Sequence, residues 1–355
     1  MDTKVLEIIN LKIHFKIKNN LIYALRGLDL SLYQNEILGL VGESGSGKSV
    51  ISKALTGLLP SNAVLENGSI FYNKQDSNLP EKQEKIDLTK SKDKNFNKIR
   101  GNEISIIFQN PISSLNPLLK IGHQIKESLK LRNKKLKTKE LKDKVFKLMK
   151  EVGINNPEKR YYQFPHQLSG GLCQRIVIAI ALANQSKVLI CDEPTTALDV
   201  SVQKKILDLI KKIQKKTNMA VIFISHDLDV VKYISDRIAV IYAVKIVEHG
   251  TNKEIFYNSQ HPYTWALLQS MPRFSKKGEK LTTIEGTPII LNKPIEADAY
   301  AFRNPYALKI DFEKQPPMFS VSSTHYAATW LLHEFAPKIE IPPLILKLKR
   351  KGGFV

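Results

Sequence analysis

The eight residues Gly42-Glu43-Ser44-Gly45-Ser46-Gly47-Lys48-Ser49 constrain this chain more than any other stretch. Their spacing, G-x-x-x-x-G-K-S, is that of a phosphate-binding loop. An apolar run ending in Gly39-Leu40-Val41 precedes it, and a helix-like stretch from Lys48 to Leu58 follows, so the glycines fall at a strand-to-helix turn. There, backbone amides can turn inward and cradle phosphate oxygens, and the helix adds the positive end of its dipole. Lys48 is placed to reach the β- and γ-phosphates of ATP, and the Ser49 hydroxyl to ligate Mg²⁺.

Further segments supply complementary chemistry. The apolar strand Val188–Cys191 delivers two carboxylates, Asp192 and Glu193, at its C-terminal end. Asp192 suits the Mg²⁺ shell, and Glu193 suits a general base that polarises attacking water. Ser169-Gly170-Gly171 opens a helix over Ser169–Ala183, which is another anion site. Gln109 follows the buried-type strand Ile104–Phe108, and His226 follows Val221–Ser225. A lone His at a strand end is usually structural; its place in this succession of motifs singles His226 out. Short, continuous apolar strands alternating with helices argue an α/β core with a parallel sheet.

The 355 residues suffice for one large domain plus an appendage. No apolar run approaches the roughly 18 residues that span a bilayer. Met1-Asp2-Thr3-Lys4 offers no signal-peptide core, so the expected location is cytoplasmic, with membrane association only through a partner or a surface. The 2 cysteines, Cys173 and Cys191, are too few for a disulfide framework or a four-thiolate site and read as small buried hydrophobes. The net charge of +20 fits nucleic acid, anionic lipid or a plain Lys-rich composition. The lysines are spread along the chain without interleaved aromatics, so no nucleic-acid partner is expected. Residues 73–97 read as an exposed loop insertion, and residues 123–152 as one amphipathic helix with Leu141, Val145, Leu148, Met149 and Val152 on one face. After about residue 257 the strand–helix rhythm loosens into a small appended domain, and the basic tail Lys347–Lys351 is expected to be disordered.

Leu168-Ser169-Gly170-Gly171-Leu172-Cys173-Gln174-Arg175 resembles the signature sequence of ABC ATPases. The resemblance implies a P-loop NTPase fold of the ABC ATPase type: a RecA-like core, an antiparallel β subdomain and a helical subdomain at about residues 110–185, all within residues 1–257. It also implies that Ser169, Gly170 and Gly171 grip the γ-phosphate of ATP held by a second ATP-binding subunit. Gln109 then resembles the glutamine that contacts Mg²⁺ and water, Asp199 the aspartate of the loop after the catalytic carboxylate, and His226 the switch histidine. Phe15 and Tyr23 are both candidates to stack on adenine. Intact Lys48, Asp192, Glu193 and His226 argue against a catalytically dead scaffold.

Phe108-Gln109-Asn110-Pro111-Ile112-Ser113-Ser114-Leu115-Asn116-Pro117 resembles the extended glutamine loop of the oligopeptide, dipeptide and nickel importers. His261-Pro262-Tyr263-Thr264 resembles the start of that subfamily's C-terminal extension, here about residues 258–335, ahead of a basic tail at 336–355. Ser46 and Thr195-Thr196 look like the D-type ATPase subunit, whereas Cys173-Gln174-Arg175 leans toward its F-type partner. What this implies is a peripheral subunit on the cytoplasmic side of the cell membrane. Its partners would be a second ATP-binding subunit, two transmembrane permease subunits and, indirectly, an extracellular peptide-binding lipoprotein. Nickel or glutathione import, or an ABC ATPase of translation or DNA maintenance, are the alternatives; against the latter stands the single cassette. Two departures stand out. Val244 replaces a usual glycine. Asp298, Asn304, Asp311 and about Thr329 fall where the subfamily often carries four iron–sulfur cysteines, so no iron–sulfur cluster is expected and apolar contacts from Tyr300, Phe302, Tyr306, Phe312 and Trp330 are left to hold a looser extension.

Overall fold

Runs of aliphatic residues become strands, and stretches with helical apolar spacing become helices. The computed structural model describes residues 3–75, 83–90, 93–132, 134–196, 198–274, 283–287, 289, 291–293 and 295–354. The strands are β1 (Lys4–Ile17), β2 (Asn20–Tyr33), β3 (Ile37–Val41), β4 (Ala63–Gln75), β5 (Gln83–Asp87), β6 (Ile104–Ile107), β7 (Val188–Asp192), β8 (Ala220–Ser225), β9 (Arg237–Tyr242), β10 (Lys245–Thr251), β11 (Phe319–Ser320) and β12 (Tyr326–Ala327). The helices are α1 (Lys48–Thr56), α2 (Asp93–Ile99), α3 (Ile121–Arg132), α4 (Thr138–Glu151), α5 (Pro157–Arg160), α6 (Gly170–Ala183), α7 (Val200–Thr217), α8 (Leu228–Ile234), α9 (Asn252–Tyr257), α10 (Pro262–Gln269) and α11 (Pro343–Gly352). Contacts divide the chain into two units, one of Met1–Val5, Tyr33–Asn35 and Lys90–Ile224, the other of Leu6–Leu32, Glu36–Thr89 and Ser225–Val355.

In the first unit β6, β7 and β8 pair in parallel, with Ile104 opposite Val188 and Val188 opposite Ala220. Every residue of β7 and β8 is buried, the pattern of a parallel sheet covered on both faces. Helix α6 packs on β6 and on α3 and α4. The predicted single helix over 123–152 is broken into α3 and α4. The break falls at the cluster Lys134-Lys135-Leu136-Lys137, where like charges gain nothing from a continued helix. There Glu140 accepts the Lys137 N–H at 2.8 Å and caps a new start. The expected apolar face holds, with Leu141, Val145, Met149 and Val152 buried and Leu148 half-buried.

The second unit carries an antiparallel sheet in the order β2-β1-β4-β5. The insertion predicted at 73–97 is thus partly regular: β5 pairs with β4, and α2 follows. Residues 76–82, 91 and 92 of that insertion lie outside the described residues. The same unit pairs β3 with β9 in parallel, then β9 with β10, β10 with β12 and β12 with β11 in antiparallel register. Chain beyond residue 257 therefore adds strands to this sheet. It also shares one apolar cluster with it, in which Val41, Val240 and Tyr242 meet Tyr263, Trp265, Leu268 and Tyr300.

The basic tail and the aromatic side chains of the extension depart from the expectation. The basic tail is ordered as α11, because Ile345 and Leu348, three positions apart, share a buried face against α9 while Lys347, Arg350 and Lys351 stay exposed. Phe302 and Phe312 do not hold the extension: they are 82% and 46% exposed and pack edge-to-face on each other at 5.2 Å. Tyr300 is buried and Tyr306 meets Trp265 at 5.5 Å, so these two do serve as expected. The extension needs no core of its own, since it uses that of β3 and β9.

Candidate active site

The phosphate loop joins β3 to α1 in the second unit. Gly47 takes φ 92, and a Cβ there would lie 2.8 Å from the Ala24 carbonyl oxygen, so only glycine fits. The Lys48 side chain is buried; its Nζ donates to the carbonyl oxygens of Gly42 (2.7 Å) and Glu43 (2.8 Å) and to Ser46 Oγ (3.3 Å). The ammonium is thus curled inside the loop, at the mouth of helix α1. Ser44, Gly45 and Ser49 are exposed along the rim. Glu43 behaves differently from the other loop residues: its amide donates to Tyr263 Oη at 2.9 Å, and its carboxylate is bridged by Arg303. His226 is exposed after β8, next to Asp227, which caps α8 by accepting from the amides of Asp229 and Val230.

In the first unit Asp192 ends β7, buried, and Glu193 follows with φ 48. A left-handed backbone at a non-glycine residue costs about 1–2 kcal/mol and persists only where surrounding contacts hold it. Here the Glu193 amide donates to the Ile224 carbonyl at 3.0 Å, and Gln109 Nε2 and Thr196 Oγ1 donate to its carboxylate. The structure therefore brings Gln109 and Glu193 together, and adds Thr196, which the sequence marked only as a subunit-type feature and not as a site residue. Thr196 lies three residues after Glu193, and its amide also donates to the Glu193 carbonyl at 3.4 Å, which closes a turn and sets the hydroxyl beside the carboxylate.

Ser169 is the exposed N-cap of α6, and its side chain makes no capping bond. Gly171 is required for close approach, since a Cβ there would sit 2.8 Å from Val202 Cγ1 of α7. Gly170 neighbours Leu198, and Asp199 is the exposed N-cap of α7, again without a side-chain capping bond. Two helix N-termini, of α6 and α7, thus present free amides and polar side chains in this unit. Cys173 and Cys191 are fully buried; burial raises both thiols above their ordinary pKa, and Asp192 adds to the effect at Cys191.

For the adenine-stacking candidates, Tyr23 leans on the apolar cluster of the second unit and its amide donates to the Leu291 carbonyl, whereas Phe15 is half-buried on β1 opposite Ala63. Asp298, Asn304, Asp311 and Thr329 are all buried. Each uses a side-chain oxygen on a nearby amide, of Tyr300 (3.1 Å), Tyr306 (3.0 Å), Leu308 (2.6 Å) and Leu331 (3.3 Å) respectively. Burial pushes the Asp298 carboxyl up to about 6, with Asp311 adding to the rise and the Tyr300 amide opposing it. Among the described residues, no group of three or more His, Cys, Asp or Glu side chains is arranged to hold a metal ion, and no helix is long and apolar enough to cross a membrane.

A phosphate loop opening a helix, an Asp-Glu pair ending a buried strand and a Ser-Gly-Gly helix start are the parts of an ATP-binding cassette. The family model described as ABC transporter matches residues 25–196, and the one described as oligopeptide/dipeptide transporter, C-terminal region, matches residues 247–310. Among solved structures, the ATP-binding cassette MJ0796 in a dimeric post-hydrolysis state bound to ADP and Pi aligns with TM-score 0.60 at 26% identity, covering 70% of this chain and 98% of that one. Curated relatives match nearly end to end. The oligopeptide transport ATP-binding protein OppD of Bacillus subtilis (strain 168) is 49% identical over 98% of this chain and 94% of its own length. AmiE of Streptococcus pneumoniae serotype 4 is 47% identical over 96% of this chain and 94% of its own, and the dipeptide transport ATP-binding protein DppD of Lactococcus lactis subsp. cremoris (strain MG1363) is 46% identical over 95% and 94%. The chain belongs to the ABC transporter family of oligopeptide and dipeptide transport ATP-binding proteins.

Proposed function

We propose that this chain binds and hydrolyses ATP to energise the import of oligopeptides or dipeptides through an ABC transporter. The observation that carries the reading is the succession, in one chain, of an ATPase cassette at 25–196 and the peptide-transporter C-terminal region at 247–310. In this reading Gly42, Ser44, Gly45, Ser46, Gly47 and Lys48 bind the ATP phosphates, and the place of Glu43 is to shape the loop. Ser49, Asp192 and Gln109 hold Mg²⁺; their donors are all oxygen, which suits a hard cation that takes few protein ligands alongside phosphate. Bound Mg²⁺ would neutralise phosphate charge. Glu193 orients and deprotonates the attacking water, and His226 contacts the γ-phosphate.

Ser169, Gly170, Gly171 and Asp199 complete the site of a second ATP-binding subunit, a paralogue in this reading. The two helix N-termini with uncommitted side chains support it. The chain works at the cytoplasmic face of the cell membrane on two permease subunits. Exposed Ile112 and Leu118, 57% and 83% accessible, flank Ser113–Pro117 and favour that loop as the contact. No iron–sulfur cluster belongs to the extension, since oxygen donors engaged with local amides stand at the four positions. The test is to co-purify the chain with its permease subunits and measure Mg²⁺-dependent ATPase and peptide uptake in proteoliposomes. Uptake that depends on ATP and on peptide is expected; ATPase without permease association or peptide uptake overturns the reading.

A further inference from the structure

Every polar group of Glu43 is taken by a named partner within its own unit. Its carbonyl oxygen accepts from Lys48 Nζ at 2.8 Å, and its amide donates to Tyr263 Oη at 2.9 Å. Its two carboxylate oxygens accept from Arg303 Nη1 and Nη2 at 2.7 and 3.0 Å, a bidentate pair. The Arg303 side chain is only 6% exposed and that of Glu43 23%, so water screens the pair weakly. Arg303 is itself held: Nε donates to the Glu285 carbonyl at 2.7 Å, and Nη1 also to Tyr242 Oη at 3.2 Å. Tyr242, Tyr263 and Tyr300 pack ring against ring at 4.6–5.3 Å behind it. Tyr263 and Arg303 both fall within the matched C-terminal region, so the extension grips the phosphate loop at its second residue.

The charge balance gives this grip a consequence. An unpaired carboxylate in the phosphate loop would repel a triphosphate that brings several negative charges of its own. Arg303 cancels that charge, and Tyr263 fixes the peptide plane of the Glu43 amide and with it the Gly42 carbonyl, which also accepts from Lys48 Nζ, at 2.7 Å. A tether serving the fold alone has no need of a loop residue. We infer that the C-terminal extension sets the affinity of the phosphate loop for ATP, with Arg303 and Tyr263 as positioning residues that act through Glu43. The inference rests on the loop being the ATP site.

The test is equilibrium binding of a fluorescent ATP analogue with Mg²⁺ to the full chain, paired with ATPase kinetics of the assembled complex. Arg303→Ala is expected to weaken ATP binding by roughly ten-fold or more, the worth of a charge-assisted pair, and to raise KM far more than it lowers kcat. Adding Glu43→Gln to Arg303→Ala is expected to restore much of the affinity, because the stranded charge is gone. Truncation to alanine also risks the fold, so Arg303→Lys and Tyr263→Phe carry the same question with less disturbance; a several-fold loss of affinity is expected of each, in a chain that thermal melts show to be fully folded at the assay temperature. Wild-type affinity in Arg303→Ala, or a double variant no tighter than Arg303→Ala, overturns the inference and leaves the pair a fold tether. Failure of the wild-type chain to bind the analogue instead overturns the reading of the loop on which the inference stands.

Discussion

Gln109 Nε2 donates to Glu193 Oε2 at 3.2 Å, on the same carboxylate oxygen that accepts from Thr196 Oγ1 at 3.1 Å. Both donors are neutral, so they orient the carboxylate without supplying a counter-charge. Glu193→Gln keeps this shape and removes the base. It should retain ATP binding and lose turnover by roughly 10²–10⁴-fold, the usual contribution of general-base catalysis. Steady-state ATPase rates beside analogue binding check this, and undiminished hydrolysis would take Glu193 out of the role.

Ser169 caps α6 with an uncommitted side chain. If it completes a partner's site, the diluted chain alone should be a poor ATPase. Ser169→Arg subunits mixed with Lys48→Ala subunits, of this chain or its paired paralogue, should lose activity in a pattern set by which composite sites survive. A diluted monomer with full activity would contradict the shared site.

The β9–β10 hairpin turns through Ala243 and Val244, with φ 42 and 63, a pair of left-handed residues that the tight two-residue turn demands. Ala243→Gly should relieve about 1 kcal/mol of that cost and raise the melting temperature by a few degrees. Val244→Gly should not. The Val244 side chain is buried, and losing about 1.5–3 kcal/mol of apolar burial offsets the relief. Thermal melts of the two variants separate the effects; a higher melting temperature for Val244→Gly would show that strain outweighs packing.

Asp298 has its carboxyl raised to about 6, against about 3.9 for an unfolded chain. Between those values the folded state holds more protons than the unfolded one. Stability from this group is therefore highest at low pH and falls as pH rises through the window, leaving a cost on the order of 3 kcal/mol at neutral pH. Asp298→Asn keeps an oxygen for the Tyr300 amide and removes the charge. It should melt higher than wild type at pH 7.5, with the gap closing toward pH 4.5. An equal gap at both pH values would refute the titration.

What was legible in the sequence was local. The phosphate loop, the Asp192-Glu193 pair and the Ser169 helix start each sit within one short window whose spacing matches its chemistry. The Glu43–Arg303 pair spans 260 residues, and no spacing rule reaches that far. A signal existed nonetheless: an acidic residue inside a phosphate loop calls for a counter-ion. The tail misled because its lysines dominate the composition and hide the Ile345–Leu348 spacing that buries one face of α11. The aromatic residues of the extension misled in the same way. Tyr300 and Phe302 are two residues apart and both aromatic, yet one is buried against the sheet and the other faces water.

Both native thiols lie in the interior, Cys173 with its Sγ turned toward the Pro165 carbonyl and Cys191 within β7, and both are held in the protonated form by burial. The native protein should therefore be silent to maleimide reagents, which attack thiolates. A single cysteine installed at exposed Ser113 or Leu118 would then be the sole reactive handle, allowing a spin label or fluorophore to be placed beside the glutamine loop without first engineering the core.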